Sequence, residues 1–223
     1  MATKKRAYRS TLRQSNAAAT RERILTAAQN CFEELGYAGT TMRAISHKAG
    51  VSVEAVNLTG SKRQLLQDAF VRGFMGSDST LPLLDHPEPK ALFAHPDPIQ
   101  ALSGLIGWVA DRNQHVSRIW HAFDQAADSD ADTRAVYLDY LRNMRLESVR
   151  CIESLSRRKA LRTDAPKTEL ADRLWIVALP DQHRRLCLHA GWSQERYRQW
   201  VVDGVLDSLL SPRMLTLWNR RKR

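Results

Sequence analysis

Paired cysteines, long apolar runs and the alternating pattern of β-strands are all missing from this 223-residue chain. The three cysteines, Cys31, Cys151 and Cys187, are odd in number and far apart, with no CxxC pair, which excludes a disulfide framework and a zinc finger. A reducing, cytoplasmic setting is therefore expected. No stretch reaches the roughly 18 apolar residues of a membrane span, and the opening residues MATKKRAYRSTLRQ lack the apolar core of a secretory signal, so neither a membrane partner nor export is expected. Glycine-rich phosphate loops, a Ser-His-Asp order and paired carboxylates in a glycine turn are absent too, so the sequence points to no enzyme and no cofactor. His115, His121 and Asp124 lie close in sequence but fit no metal-ligand spacing, and no metal site is expected.

Acidic residues are also in deficit: 24 Asp and Glu face 34 Lys and Arg, a formal charge of +10. Cations that neutralise phosphates release condensed counterions, so this excess points to a polyanion. Lys4, Lys5, Arg6, Arg9, Arg13, Arg21 and Arg23 crowd the first 23 residues against the single acid Glu22, and residues 220–223 are all basic. Residues 1–19 show no periodicity and are expected to form a basic flexible arm, and 213–223 a basic tail.

What remains is helical. After a cap at Thr20, Ile24, Leu25, Ala28, Phe32 and Leu35 repeat at helical spacing up to a stop at Gly36. A second helix, capped by Thr40 or Thr41, turns Met42, Ile45 and Ala49 inward and ends at Gly50. Ser52 caps a third with Val53 and Val56 inward, and a fourth follows Gly60 and Ser61 with Leu65, Leu66, Ala69, Phe70 and Phe74. Prolines 82, 87, 89, 96 and 98 mark residues 76–98 as a connecting loop. Helical patterns then cover 99–111, 116–127 and 131–160. Others cover 170–179, a short stretch after Pro180, and 193–210 behind a stop at Gly191.

Residues 24–56, ILTAAQNCFEELGYAGTTMRAISHKAGVSVEAV, hold a bracing helix, a glycine turn and a second helix able to enter a major groove, the requirements of a helix-turn-helix. Ala27, Ala28, Phe32, Gly36, Tyr37, Thr40, Thr41, Ile45, Ser46, Ala49, Gly50, Val51 and Ser52 together resemble the signature of the TetR family of bacterial transcriptional regulators. The ending 190–210, AGWSQERYRQWVVDGVLDSLL, is similar in outline. The chain departs from the family at the close of helix 3, where Asn57 replaces the usual Tyr and the usual Phe is missing, one residue short before Lys62.

The resemblance implies an all-α protein: a helix-turn-helix domain at 20–75, then a helical effector-binding and dimerisation domain at 99–212. It implies DNA contacts from Thr41 and Arg43 on helix 2, from Ser52, Val53, Glu54, Asn57 and Thr59 on helix 3, and from Lys62 on helix 4. The aromatics Trp108, Trp120, Phe123, Tyr137 and Tyr140 form either solid core, as their spacing suggests, or an effector pocket, as the resemblance suggests. Arg112, Asn113, Gln114 and Asp124 are polar candidates beside them, and His183 and His189 read as surface or interface residues. Leu174 and the stripe Tyr197, Trp200, Val201, Gly204, Val205 and Leu209 are expected at a homodimer interface. The implied function is an effector-released repressor on a pseudopalindromic operator in double-stranded DNA. A second reading keeps the helical dimer, with DNA reading lost to the short helix 3 end, as a small-molecule or protein-binding module.

Overall fold

The computed structural model describes residues 2–76, 79 and 81–221, with side chains from Asn16 onward. Among these residues the chain is helical, its one β feature an isolated bridge between Leu161 and Leu210. Among the described residues no helix is long and apolar enough to cross a membrane.

Helix α1 (Ala2–Gly39) starts well before the expected cap at Thr20. The reason is local: no glycine or proline occurs before Gly36, and Ala17, Ala18 and Ala19 favour continuation, so the supposed irregular arm is helical backbone. At Gly36 the helix breaks with φ 68 and ψ 179, a conformation open essentially only to glycine, and the Thr40 hydroxyl donates to the Gly36 carbonyl at 2.7 Å. Helices α2 (Met42–Ala49), α3 (Val53–Thr59) and α4 (Lys62–Met75) follow. Each opens on a hydroxyl: Thr41, Ser52 and Ser61 accept the N–H of Ala44, Ala55 and Gln64. Gly50, at φ 64 and ψ 42, makes the left-handed turn between α2 and α3.

The expected loop at 76–98 contains a 3-10 turn, Leu83–Asp85, and helix α5 (Pro87–Phe93). Proline does not forbid this helix because Pro87 and Pro89 stand in its first turn, where amides have no intrahelical partner. Pro98 likewise opens α6 (Pro98–Ser129), capped by Asp97. This one continuous helix replaces the two expected at 99–111 and 116–127, since the polar segment between them holds no breaker. Helix α7 (Ala131–Arg157), α8 (Lys167–Ala178), α9 (Pro180–His183) leading into a π turn (Arg184–His189), and α10 (Gln194–Leu209) complete the body. The C-terminal segment is a further helix, α11 (Pro212–Arg221), which lays Met214, Leu215 and Trp218 on the body core.

Two apolar clusters result, and they do not divide at residue 76. One unites α1–α4 with Val116, Ile119, Trp120 and Phe123 from the second half of α6. The other gathers the first half of α6 with α7, α8 and α10. Helix α6 is thus a shared spine.

Candidate nucleic-acid interface and cavity

Helix α3 buries Val56 completely, and the residues two positions to either side, Glu54 and Leu58, lie about 200° round the helix and face away. Its exposed surface comprises Ser52, Val53, Glu54, Asn57 and Leu58, with Thr41 and Arg43 exposed on α2. Val53, expected to turn inward, is 37% exposed, and Leu35 on α1 is 52% exposed. Leu58, not among the residues expected at DNA, is 89% exposed. The signal was available: a leucine two residues from a buried valine on a short helix has to face outward.

Not all eight residues expected at DNA are free to reach out. The hydroxyls of Thr41 and Ser52 cap their own helices, and that of Thr59 donates back to the Ala55 carbonyl at 3.0 Å. Lys62 is half-buried, its ammonium 4.3 Å from the centre of the Tyr37 ring, and burial lowers its pKa from the ordinary value. Arg43, Glu54 and Asn57 remain exposed. Helix α3 closes as an intact seven-residue helix, so the shortened segment trims the following turn and leaves the helix itself whole.

The head is tied to the body through α4. Phe70 sits 5.2 Å from Trp120, 6.2 Å from Phe123 and 5.4 Å from Tyr140, ring centre to ring centre. Tyr137 closes the group, 4.8 Å from Trp120, and Arg63 pairs with Asp132 at the start of α7. Trp120 donates its indole N–H to Asp181 on α9 at 2.8 Å.

Beside this stack lies a cavity of about 830 Å³. Phe70, Val71 and Phe74 of α4 form one wall; Leu105, Ile106, Val109 and Asn113 of α6 another; α7 and α8 close it with Tyr140, Met144, Cys151, Leu174 and Trp175. Of the five aromatics considered for a pocket, Tyr140 alone lines it. Trp120, Phe123 and Tyr137 belong to the packed stack, and Trp108 packs edge-on to Phe74 beneath the Arg112 guanidinium, so for these four the core reading holds. Cys151 is a buried wall residue whose thiol is pushed up to about 12 by loss of solvent. Asn113, one of the polar candidates, stands in the wall; Arg112, Gln114 and Asp124 do not.

A buried polar network backs this wall. Asn113 donates to the Tyr197 hydroxyl and to the Ala178 carbonyl, both at 3.0 Å. His183 is buried rather than superficial; its ring lies 2.8 Å from the Ser117 hydroxyl and 3.0 Å from Gln194 Oε1. Gln194 donates its own amide to the Ala110 carbonyl, so its oxygen faces His183 and calls for a protonated Nε2 there. Burial lowers the pKa of His183, which favours the neutral ring. The Ser117–His183 pair is therefore scaffold.

The expected dimer stripe divides. Tyr197, Val201, Val205 and Leu209 are wholly buried within the chain's own core, as is Leu174, because α10 packs on both α6 and α8. Trp200 stays 40% exposed, edge-on to Trp192, and Gly204 has nothing within 4 Å of where a side chain would start. Ile176 on α8, which was not anticipated, is exposed as well.

Residues 24–69 match the family model described as bacterial regulatory proteins, tetR family. No characterised protein matches the chain by sequence. Among solved structures, NalD, the secondary repressor of the MexAB-OprM multidrug efflux pump in Pseudomonas aeruginosa, is 17% identical with a TM-score of 0.64, covering 89% of this chain and 99% of its own. SmeT, solved as a complex with triclosan, is 20% identical with a TM-score of 0.66, covering 87% and 93%. A transcriptional regulator from Saccharomonospora viridis, solved with choline, is 19% identical with a TM-score of 0.64, covering 87% and 99%. Residues 24–69 are thus similar to the tetR-family model, and the chain shares the fold of these solved structures.

Proposed function

We propose that this chain, with its TetR-family head and fold, works as a homodimeric repressor that a small molecule in the 830 Å³ cavity releases from DNA. The observation that carries the reading is the shared wall: Phe70, Val71 and Phe74 of α4 face the cavity while the same helix packs on α1, which in turn packs on α2 and α3 in the head. A ligand that favours one position of α4 over another biases the placement of α3 by that difference in affinity. The ligands named for SmeT and the S. viridis regulator fit this use of the fold.

On the DNA side, Arg43, Val53, Glu54, Asn57 and Leu58 form the reading surface. Asn57 suits adenine, and the two apolar side chains suit thymine methyl groups. Lys62, packed over Tyr37, braces α4 against α1, and its backbone contact is secondary. The exposed parts of α8 and α10, with Ile176, Trp200 and Gly204, are the dimer face. A two-fold pair would set its recognition helices about 34–36 Å apart for successive major grooves.

The test is protection of DNA fragments from around the protein's own gene at two salt concentrations. A specific footprint with a steep salt slope is expected, and Asn57→Ala and Leu58→Ala should each weaken specific binding about 5- to 100-fold with little change on unrelated DNA. Weak, equal binding to every fragment would favour the helical module without DNA reading.

A further inference from the structure

Resting on that reading, the chemistry of the cavity wall specifies its ligand further. Among the described residues, the charged groups that line the cavity are already matched. Glu147 accepts from Arg150 at 2.7 Å through one oxygen and from the Leu84 amide at 3.0 Å through the other. Arg150 also holds Asp85 at 3.0 Å, and the exposed Asp139 pairs with Arg142 at 2.9 Å. An ion entering this space would shed its water without meeting a free counter-charge.

Two buried neutral groups of the described wall residues are unmatched. Asn113 is fully buried and its NH2 is engaged twice, with the Ala178 carbonyl and with the Tyr197 hydroxyl, which fixes the orientation of the amide. Its Oδ1 is a buried acceptor with no partner. Trp175, also in the lining, has a buried indole N–H with no partner. Buried polar groups in folded proteins are nearly always paired, so an unpaired acceptor and an unpaired donor on two residues that line one apolar cavity mark where a ligand that draws them toward the space supplies the complement.

We infer that the effector is an uncharged, largely apolar molecule that gives a hydrogen-bond donor to Asn113 Oδ1 and an acceptor to the Trp175 N–H. A long-chain or aromatic alcohol meets this description; a carboxylate or a quaternary ammonium does not. Asn113 is also the residue that joins the cavity to the end of α8 and to α10. A ligand on its oxygen therefore acts on the element between the pocket and the proposed dimer face.

The test uses full-length protein without DNA and the neutral fluorescent amine N-phenyl-1-naphthylamine as bound probe. It is displaced by ten-carbon competitors: 1-decanol, decanoate and decyltrimethylammonium. 1-Decanol is expected to displace the dye at a concentration at least about tenfold below that of either ion. An ion that competes as well as the alcohol overturns the assignment, and so does failure of both dye and alcohol to bind below the millimolar range. Decyl methyl ether keeps the acceptor but lacks the donor, so it should be about two- to tenfold weaker than 1-decanol, without any variant at risk of misfolding. Equal displacement removes Asn113 from the proposal. Trp175→Phe keeps a ring and loses the N–H; it should weaken 1-decanol by a similar factor and leave 1-chlorodecane unchanged, and equal loss for both removes Trp175. Operator binding by the unliganded protein is read separately, so failure of the repressor reading leaves the displacement order interpretable.

Discussion

The head, α1–α4, and the body, α5–α11, bury helices by different means. In the head each short helix begins on a hydroxyl cap, and none of the described side chains holds a buried polar atom without a partner. Among the described residues of the body such atoms occur on His86, Trp108, Asn113, Trp175 and Arg184, alongside a large cavity and a polar network threaded through α6. The contrast shows where this molecule is committed to one shape. On the proposed function, a surface that matches a DNA groove rests on a fully satisfied scaffold, whereas a body that receives a ligand keeps space and unmatched groups for it.

The strongest way to break this comparison is at the joint. Trp120→Ala removes a fully buried indole from the stack that holds Phe70 and also its bond to Asp181, so a loss of about 3–5 kcal/mol in urea unfolding is expected, in a single transition. Two transitions, with the head surviving alone, would show head and body to be independent units. The next effect lies in the head. Gly36→Ala puts a side chain on φ 68, ψ 179 and should cost about 1–3 kcal/mol, because no L residue sits comfortably there. An unchanged melting temperature would mean that the α1–α2 turn has another conformation.

Ser52→Ala, which removes the cap of α3, should cost about 1 kcal/mol and loosen the reading helix more than the body, as hydrogen exchange of α3 amides would reveal. Uniform exchange across both regions would count against a head held by its caps. The smallest effect sharpens the body side. Burial lowers the pKa of His183 from the ordinary 6.5, so as pH falls the unfolded chain binds that proton first. Stability is full above about pH 6.5 and declines as pH drops toward the folded value; His183→Gln should flatten melting temperatures between about pH 7 and 5.5. His121, also lowered by burial, supplies the matched comparison through His121→Gln. A slope unchanged by His183→Gln would remove the network from the account of the body.

Head and body also differ in how far the sequence foretold them. Caps, glycine turns and apolar spacing are local properties, and they placed α2, α3 and α4 close to where they lie; Val53, expected both inward and at DNA, turns outward, and the outward turn of Leu58 went unread. The proline-rich segment and the N-terminal arm were misjudged for a local reason as well, since proline is compatible with a first helical turn and a glycine-free basic stretch continues a helix. The body misled differently. Tyr197, Val201, Val205 and Leu209 form one apolar stripe on α10, but a stripe does not say which surface covers it. Here α6 and α8 of the same chain do, leaving Trp200 and Gly204 outside.

By itself, then, the sequence determined the helical class, the helix-turn-helix and its likeness to one regulator family, because each depends on residues within a few turns of one another. Tertiary structure alone decided that four aromatics are core and one is wall, that α4 is shared between reading head and cavity, and that Asn113 and Trp175 stand unpaired beside the same space. Those facts depend on which faces of distant helices meet. Helical periodicity states that a face is apolar; the partner across it is set by packing of the whole chain.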